Sequence, residues 1–385
     1  MRQQPLLALR RDRQRGLTLI EIMVALVMGL VLIAGIGAVF VANKQTYRYQ
    51  ESLSRLQENG RIALELIARD IRASGYTGCG GRSTKIKNTV NKSTSILFAF
   101  GDALTGFDSN VSYQAPTSTV GTKASWVPNA GDMFLDMAIF GSGPFPVENS
   151  DVISLRVVDP TRCKVSKHND EAAVFFTTPC DLKKNEIVMV SDCSNAAILQ
   201  IDNTTGYPSG GSGKTNVVHN AGVGGQDPGN WTKDLGHNYA RNGGIFKIKT
   251  YTYYVADTGR GTDPASPLLG LYRVSDDAKP EELVEGVENM QFLYGMDGDV
   301  NGSADIYERA TDSTPWSNVR SVRISLRLRA PDLKVLPKSQ GFQLDYNDSS
   351  LNIPDASQTT SWGQVSDTAW RQVFTTTVNL RNRSS

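Results

Sequence analysis

Twelve residues, DGDVNGSADIYE at 297–308, carry the spacing D-x-[DN]-x-[DN]-G-x5-E. In such a loop Asp297, Asp299 and Asn301 offer side-chain oxygens, Ser303 its backbone carbonyl, Asp305 a direct or water-mediated oxygen, and Glu308 a bidentate carboxylate. Gly302 makes the sharp turn. Convergent oxygens suit a hard cation, so Ca2+ is the expected ligand, stiffening a loop rather than catalysing. The flanks read as strands or coil, so this would be a calcium loop without flanking helices; an acidic Asp-Gly turn between strands is the plainer alternative.

Other chemistry-like patterns are weaker. GGSGKT at 210–215 lacks the first glycine of a phosphate-binding loop, because position 208 is Pro208. His168, His219 and His237 fall in loop-like segments without metalloprotease spacing, and no G-x-S-x-G nucleophile turn is present, so solvated histidines and no enzyme activity are expected.

A carboxylate of another kind lies near the start. Glu21 opens a long apolar run, and residues 22–42 would span about 31 Å as a helix, the thickness of a bilayer's hydrocarbon. Arg10, Arg11, Arg13 and Arg15 precede the run, whereas Lys44 and Arg48 follow it sparsely, which predicts a cytoplasmic N-terminus. An ionised carboxylate at the edge of hydrocarbon needs a partner. Gly29, Gly35 and Gly37, with Ala25, Ala34 and Ala38, offer small surfaces for close helix packing, or simply face lipid.

An ordinary secretory signal would be cut after the apolar run; here the charge-flanked break lies before it, at Gly16 and Leu17. RGLTLIEIMVAL resembles the class III signal of type IV prepilins: a basic leader, glycine, an apolar residue, and glutamate at the fifth mature position. The resemblance implies cleavage after Gly16 by a prepilin peptidase, N-methylation of Leu17, and pairing of Glu21 with a neighbouring subunit's amino terminus during assembly. Leu17 stands where the family usually has Phe. LQENGRIALELIARDIRASGYTGCG, LYRVSDDAKPEELVEGVENMQFLYGMDGDVNGSADIY and the closing RQVFTTTVNLRN are similar to the PilW family of minor pilins.

The elements follow. Residues 43–74 contain no proline, and Leu53, Leu56, Gly60, Ala63, Ile67 and Ile71 recur at helical spacing opposite a charged face, with Gly75 as the stop. A leader at 1–16, a filament-core helix at 17–42, its amphipathic continuation at 43–75 and a β-rich domain at 76–385 are predicted. The fold class is α+β, pilin-like: one long helix packed on antiparallel sheets with long loops. Strands are predicted at 95–100, 133–140, 151–158, 173–177, 186–190, 197–201, 245–255, 268–274, 287–294, 319–328 and 372–380. Within the 319–328 run, Val322, Ile324, Leu326 and Leu328 alternate with Arg323, Ser325, Arg327 and Arg329, the period of a half-buried strand with a solvated basic face. Residues 203–244 and 337–367 read as long surface insertions.

Cys79, Cys163, Cys180 and Cys193 lack zinc spacing, and their even number points to two disulfides in an oxidising compartment. Three pairings are open; Cys180 with Cys193 across a short hairpin, and Cys79 with Cys163, is favoured.

With 40 Lys+Arg against 39 Asp+Glu, no global basic field suggests nucleic-acid binding. The resemblance implies a protein of the inner membrane, with a periplasmic domain that later becomes part of a pilus. Its partners would be other minor pilins, the major pilin and the prepilin peptidase, and it would support adhesion, twitching motility or DNA uptake. A minor pseudopilin of a type II secretion system shares the same plan. A membrane-anchored, calcium-dependent surface adhesin is the alternative from another class.

Overall fold

The computed structural model describes residues 17–78, 85–93, 95–109, 119–122, 125–127, 140–205, 215–225, 227–240, 243–261, 266–275, 279–299, 301–330, 341–343, 361–364 and 368–380. Two compact units result, residues 1–51 and residues 52–385. Helix α1, Leu19–Ala73, is built from strong helix formers without a proline. It ends where Gly75 takes φ +72° and its N–H bonds the Arg156 carbonyl. Up to Val41 its large apolar side chains are exposed. From Ser52 onward Leu56, Gly60, Ala63, Ile67 and Ile71 are buried, the predicted stripe, and Asp70 is buried with them.

The larger sheet joins β1 (Lys85–Asn88), β7 (Asn195–Gln200), β6 (Ile187–Ser191), β10 (Gly244–Asp257), β4 (Val152–Asn169), β5 (Val174–Thr177), β9 (Thr215–Val218) and β8 (Asn203–Thr205) in that spatial order. β11 (Leu269–Val274) also pairs β10 and carries β12 (Glu281–Glu285), while β2 (Leu104–Ser109) joins β4 and β3 (Trp126–Val127). A second sheet runs β14 (Ile306–Glu308), β13 (Val287–Met296), β15 (Val319–Arg329), β18 (Arg371–Asn379), all antiparallel. β16 (Gly341–Gln343) and β17 (Ser361–Gln364) pair with each other.

Helix and sheets share one core. Leu56, Ala63, Ile67 and Ile71 pack with Tyr253, Leu271, Met290, Phe292, Ile324 and Leu326, from β10, β11, β13 and β15. Asp70 is held there by the Tyr253 hydroxyl at 2.5 Å and the Arg273 guanidinium at 3.5 Å, so the buried carboxylate fixes the helix's rotation against β10 and β11. Gly60 lies so close to Phe374 of β18 that a Cβ there would fall 2.6 Å from the ring.

Several expectations are corrected. Residues 95–100 form turns, not a strand, with the Phe98 and Ala99 N–H groups bonding the Ser95 carbonyl. Most of the predicted 133–140 strand lies outside the described residues. The 203–244 stretch is more than a surface insertion: β8 and β9 extend the large sheet, and His219, Asn230 and Tyr239 are buried. The favoured disulfide pairing is wrong as well. Cys163 bonds Cys180, which lie opposite one another because β4 turns directly into β5, and Cys193 is itself disulfide-bonded. Cys79 lies outside the described residues.

Candidate functional site

At the N-terminal end, Gly16 lies outside the described residues and Leu17 is exposed. One Glu21 carboxylate oxygen, Oε2, accepts the Thr18 backbone N–H and the Thr18 hydroxyl, each at 3.0 Å. The Glu21 N–H is 3.4 Å from the Thr18 Oγ1. This reciprocal pattern is a capping box, T-x-x-E, which satisfies donors that the first helical turn leaves open. The T-x-x-E spacing of Thr18 and Glu21 is written in the sequence, although the charge of Glu21 alone does not point to Thr18 as its cap. The helix beyond exposes apolar side chains all round, Leu19 by 77 % and Phe40 by 68 %, as a membrane or a bundle of like helices requires.

The acidic loop follows β13. Side-chain oxygens of Asp297, Asp299 and Asp305 lie within 4.8 Å of one another. Asp305 Oδ2 closes the loop by accepting the Gly298 N–H at 2.7 Å, and two Asx turns shape it: Asp299 Oδ1 accepts the Asn301 N–H at 3.1 Å, and Asn301 Oδ1 accepts the Ser303 N–H at 2.8 Å. Gly302 takes φ +92°, the turn conformation such a loop demands. Asp297 is fully buried, and its Oδ2 accepts the Gly302 N–H at 3.1 Å and the Arg320 Nε–H at 2.8 Å. Arg320, on β15, was not singled out in the sequence. Glu308 sits on β14 opposite Tyr294 and is not one of the converging carboxylates. The donors are all hard oxygens on a pinned turn, and they fit a Ca2+ ion, with Arg320 balancing part of the Asp297 charge.

The expected solvated basic face is covered at Arg327 and Arg329. Glu288 is the extra residue at a bulge between Val287 and Asn289 of β13, and it is fully buried. Its carboxylate accepts the Arg371 Nε–H at 2.7 Å and Nη2–H at 3.0 Å, with the Arg327 Nε at 3.2 Å and the Arg329 Nε at 3.6 Å. Arg327 is fully buried, and Arg329 also bonds the Ser266 hydroxyl at 2.6 Å. Arg323 keeps the predicted exposure better, stacking on the Tyr307 ring at 4.9 Å.

A further carboxylate pair ties β2, β4 and β13 together. Asp151 accepts the Ser109 and Phe292 N–H groups, each at 2.8 Å, while Asp108 meets Arg309 at 3.4 Å. Burial pushes the Asp108 carboxyl up to about 6, against the opposing pull of Arg309. Burial, reinforced by the Asp108 charge, raises Asp151 well above the ordinary range.

His168 and His219 are not solvated: both are buried beside Phe175 and Tyr239, whereas His237 is exposed in a loop, as expected, and meets Asp192. Residues 210–214 of the GGSGKT stretch lie outside the described residues.

Comparison with known families finds two matches. A prokaryotic N-terminal methylation motif covers residues 11–37, and the type IV pilus-assembly protein W family, PilW, covers residues 252–382. No curated protein and no solved structure matches the chain. The two matches fall on the two parts the geometry singles out, the capped apolar helix and the β11–β18 half that packs on its second stretch. Residues 11–37 thus carry the methylation motif of prepilins and residues 252–382 a PilW domain, and the two together support a type IV pilus minor pilin of the PilW family with one apolar helix long enough to cross a membrane.

Proposed function

We propose that the chain is built into, or primes, a type IV pilus through its helix, once residues 1–16 have been removed. The reading is carried by one observation: residues 19–42 of the helix, apolar on every exposed face, bear a single carboxylate, Glu21, in the first turn, satisfied only by Thr18 of the same chain among the described contacts. When a neighbouring subunit presents its new amino group at Leu17, a full ion pair in a low-dielectric bundle outweighs a neutral hydroxyl contact. Glu21 then sets the axial offset between helices. The basic residues before the helix keep the N-terminus cytoplasmic, so the β domain lies in the periplasm until assembly carries it into the pilus. Other minor pilins and the major pilin are its partners, and adhesion, twitching motility and DNA uptake are the processes it serves.

Glu21→Ala in cells tests this. Loss of surface pili with type II secretion intact supports the pilus reading. Loss of secretion with pili intact supports a minor pseudopilin. Intact pili with ligand binding lost on calcium removal supports an anchored adhesin.

A structural Ca2+ belongs to the same reading, because Asp297, Asp299 and Asp305 converge on the β13–β14 turn. Asn301 and the Ser303 carbonyl would complete the set, with Glu308 joining through a shift of β14. Titration calorimetry of the detergent-solubilised protein checks it. Saturable binding at or below roughly millimolar Ca2+ is expected, and lost in Asp299→Ala/Asp305→Ala. No heat in the wild type would sink the assignment.

A further inference from the structure

All three histidines of the chain meet around two aromatic rings, although they come from separate stretches. His168, near the end of β4, stacks on Phe175 of β5 with ring centres 4.1 Å apart. His219, just after β9, lies 4.8 Å from Phe175 and 5.6 Å from His168. His237 meets the edge of Tyr239 at 5.0 Å, and Tyr239 packs 6.2 Å from His168. The His168 and His219 rings are almost fully buried. Among the described residues, neither ring nitrogen of His219 has a hydrogen-bond partner, and nor does His168 Nε2.

A neutral imidazole tolerates this packing, but an imidazolium does not, because both nitrogens must then donate and the charge must be solvated. The surroundings offer little relief. Asp170 Oδ1 holds His168 Nδ1 at 2.8 Å, the one carboxylate on the buried pair among the described residues. Asp192 is engaged by His237 Nε2 at 2.6 Å. Lys233, whose Nζ bonds the Glu171 carbonyl, adds positive potential at His219.

We propose that this cluster is an acid-sensitive latch: protonation of His219, and of His168 beside it, opens the β5–β9–β8 arm and the end of β4 while the second sheet stays folded. The titration agrees in direction. Burial holds His219 down to about 4, with His168 and Lys233 adding to the effect and Asp170 opposing it. His168 is lowered by burial and by His237, again against Asp170. A folded-state value below the ordinary 6.5 means that the arm keeps its full stability above pH 6.5 and loses it as pH falls towards about 4. Each pH unit across that window raises the opening constant tenfold, so His219 alone contributes roughly 300-fold. Asp108 and Asp151 shift the opposite way, so a global melting curve would blend the two effects.

Hydrogen exchange of the full-length protein in detergent, corrected for the chemical rate, resolves the arm. Between pH 7.5 and 4.5, amides of residues 174–177 and 215–218 should lose protection by about 100-fold while β15 does not, and His219→Phe should abolish that loss. Unchanged protection in the wild type, or an equal loss in His219→Phe, overturns the latch. If His219→Phe does not fold, proton NMR of the three imidazoles in the wild type decides: a His219 midpoint near 4 supports the latch, and one near 6.5 overturns it.

Discussion

Three guanidiniums gather on the one carboxylate of Glu288, and the arrangement explains why charged residues occur inside the second sheet at all. A bulge in β13 turns Glu288 towards Arg327, Arg329 and Arg371, and each of those arginines is buried only because a fixed anion is there to meet it. Glu288→Gln should therefore lower unfolding free energy by about 3–5 kcal/mol in denaturant titrations, since it strands buried positive charge. Asp108 gives a pH-dependent counterpart. Its folded-state value, about 6, lies above the ordinary 3.8, so its contribution is full below pH 3.8 and is lost as pH rises through about 6. Asp108→Asn should flatten that decline and gain of order 1–3 kcal/mol over the wild type at pH 7, measured as denaturation midpoints across pH 4 to 7. At this scale the sequence was a poor guide: alternation in 319–328 located Val322, Ile324, Leu326 and Leu328 correctly, but nothing local indicated that the arginine face would be covered as well.

At the scale of elements, the helix was the most legible feature. Its second stretch buries five of the six residues that its periodicity marked, and the sixth, Leu53, is half-buried. Ile67→Ala should cost about 2–5 kcal/mol, read by chemical denaturation, because Ile67 is fully buried between the helix and both sheets. Long β-branched runs were equally plain, and β6, β7, β10, β13, β15 and β18 fall within a few residues of their expected positions, whereas β4 starts where expected but runs on to Asn169, well past the expected end at 158. Short strands such as β1, β3, β8 and β14 were missed, because two to four residues carry no readable period and form only when a neighbour pairs with them. The disulfide failed for a related reason. Spacing favoured Cys180 with Cys193, whereas the β4–β5 turn sets Cys163 against Cys180. Replacing both with serine should cost about 3 kcal/mol, measured by thermal or denaturant unfolding, given the loop of 17 residues they close.

For the whole molecule, the two ends divide the labour. On the proposed function the helix carries the assembly chemistry, and the mature protein recovered from cells should begin at Leu17 by intact mass, with Gly16→Val retaining residues 1–16. The domain carries the PilW features, the acidic turn and the histidine cluster. What the sequence determined unaided was whatever depends on neighbours along the chain: the apolar span, the N-terminal methylation motif, the Glu21 position, the amphipathic stripe and the spacing of the acidic loop. Each is a matter of spacing within a short stretch of chain or of composition, so no fold is needed to read it. Tertiary structure alone decided the disulfide partner of Cys163, the burial of Arg327, Arg329 and Arg371 on Glu288, the Arg320 contact with Asp297, and the meeting of His168, His219 and His237. These join residues brought together by sheet pairing, and a long-range pairing chooses its partner by packing and by the cost of burying a charge, neither of which is written in local order.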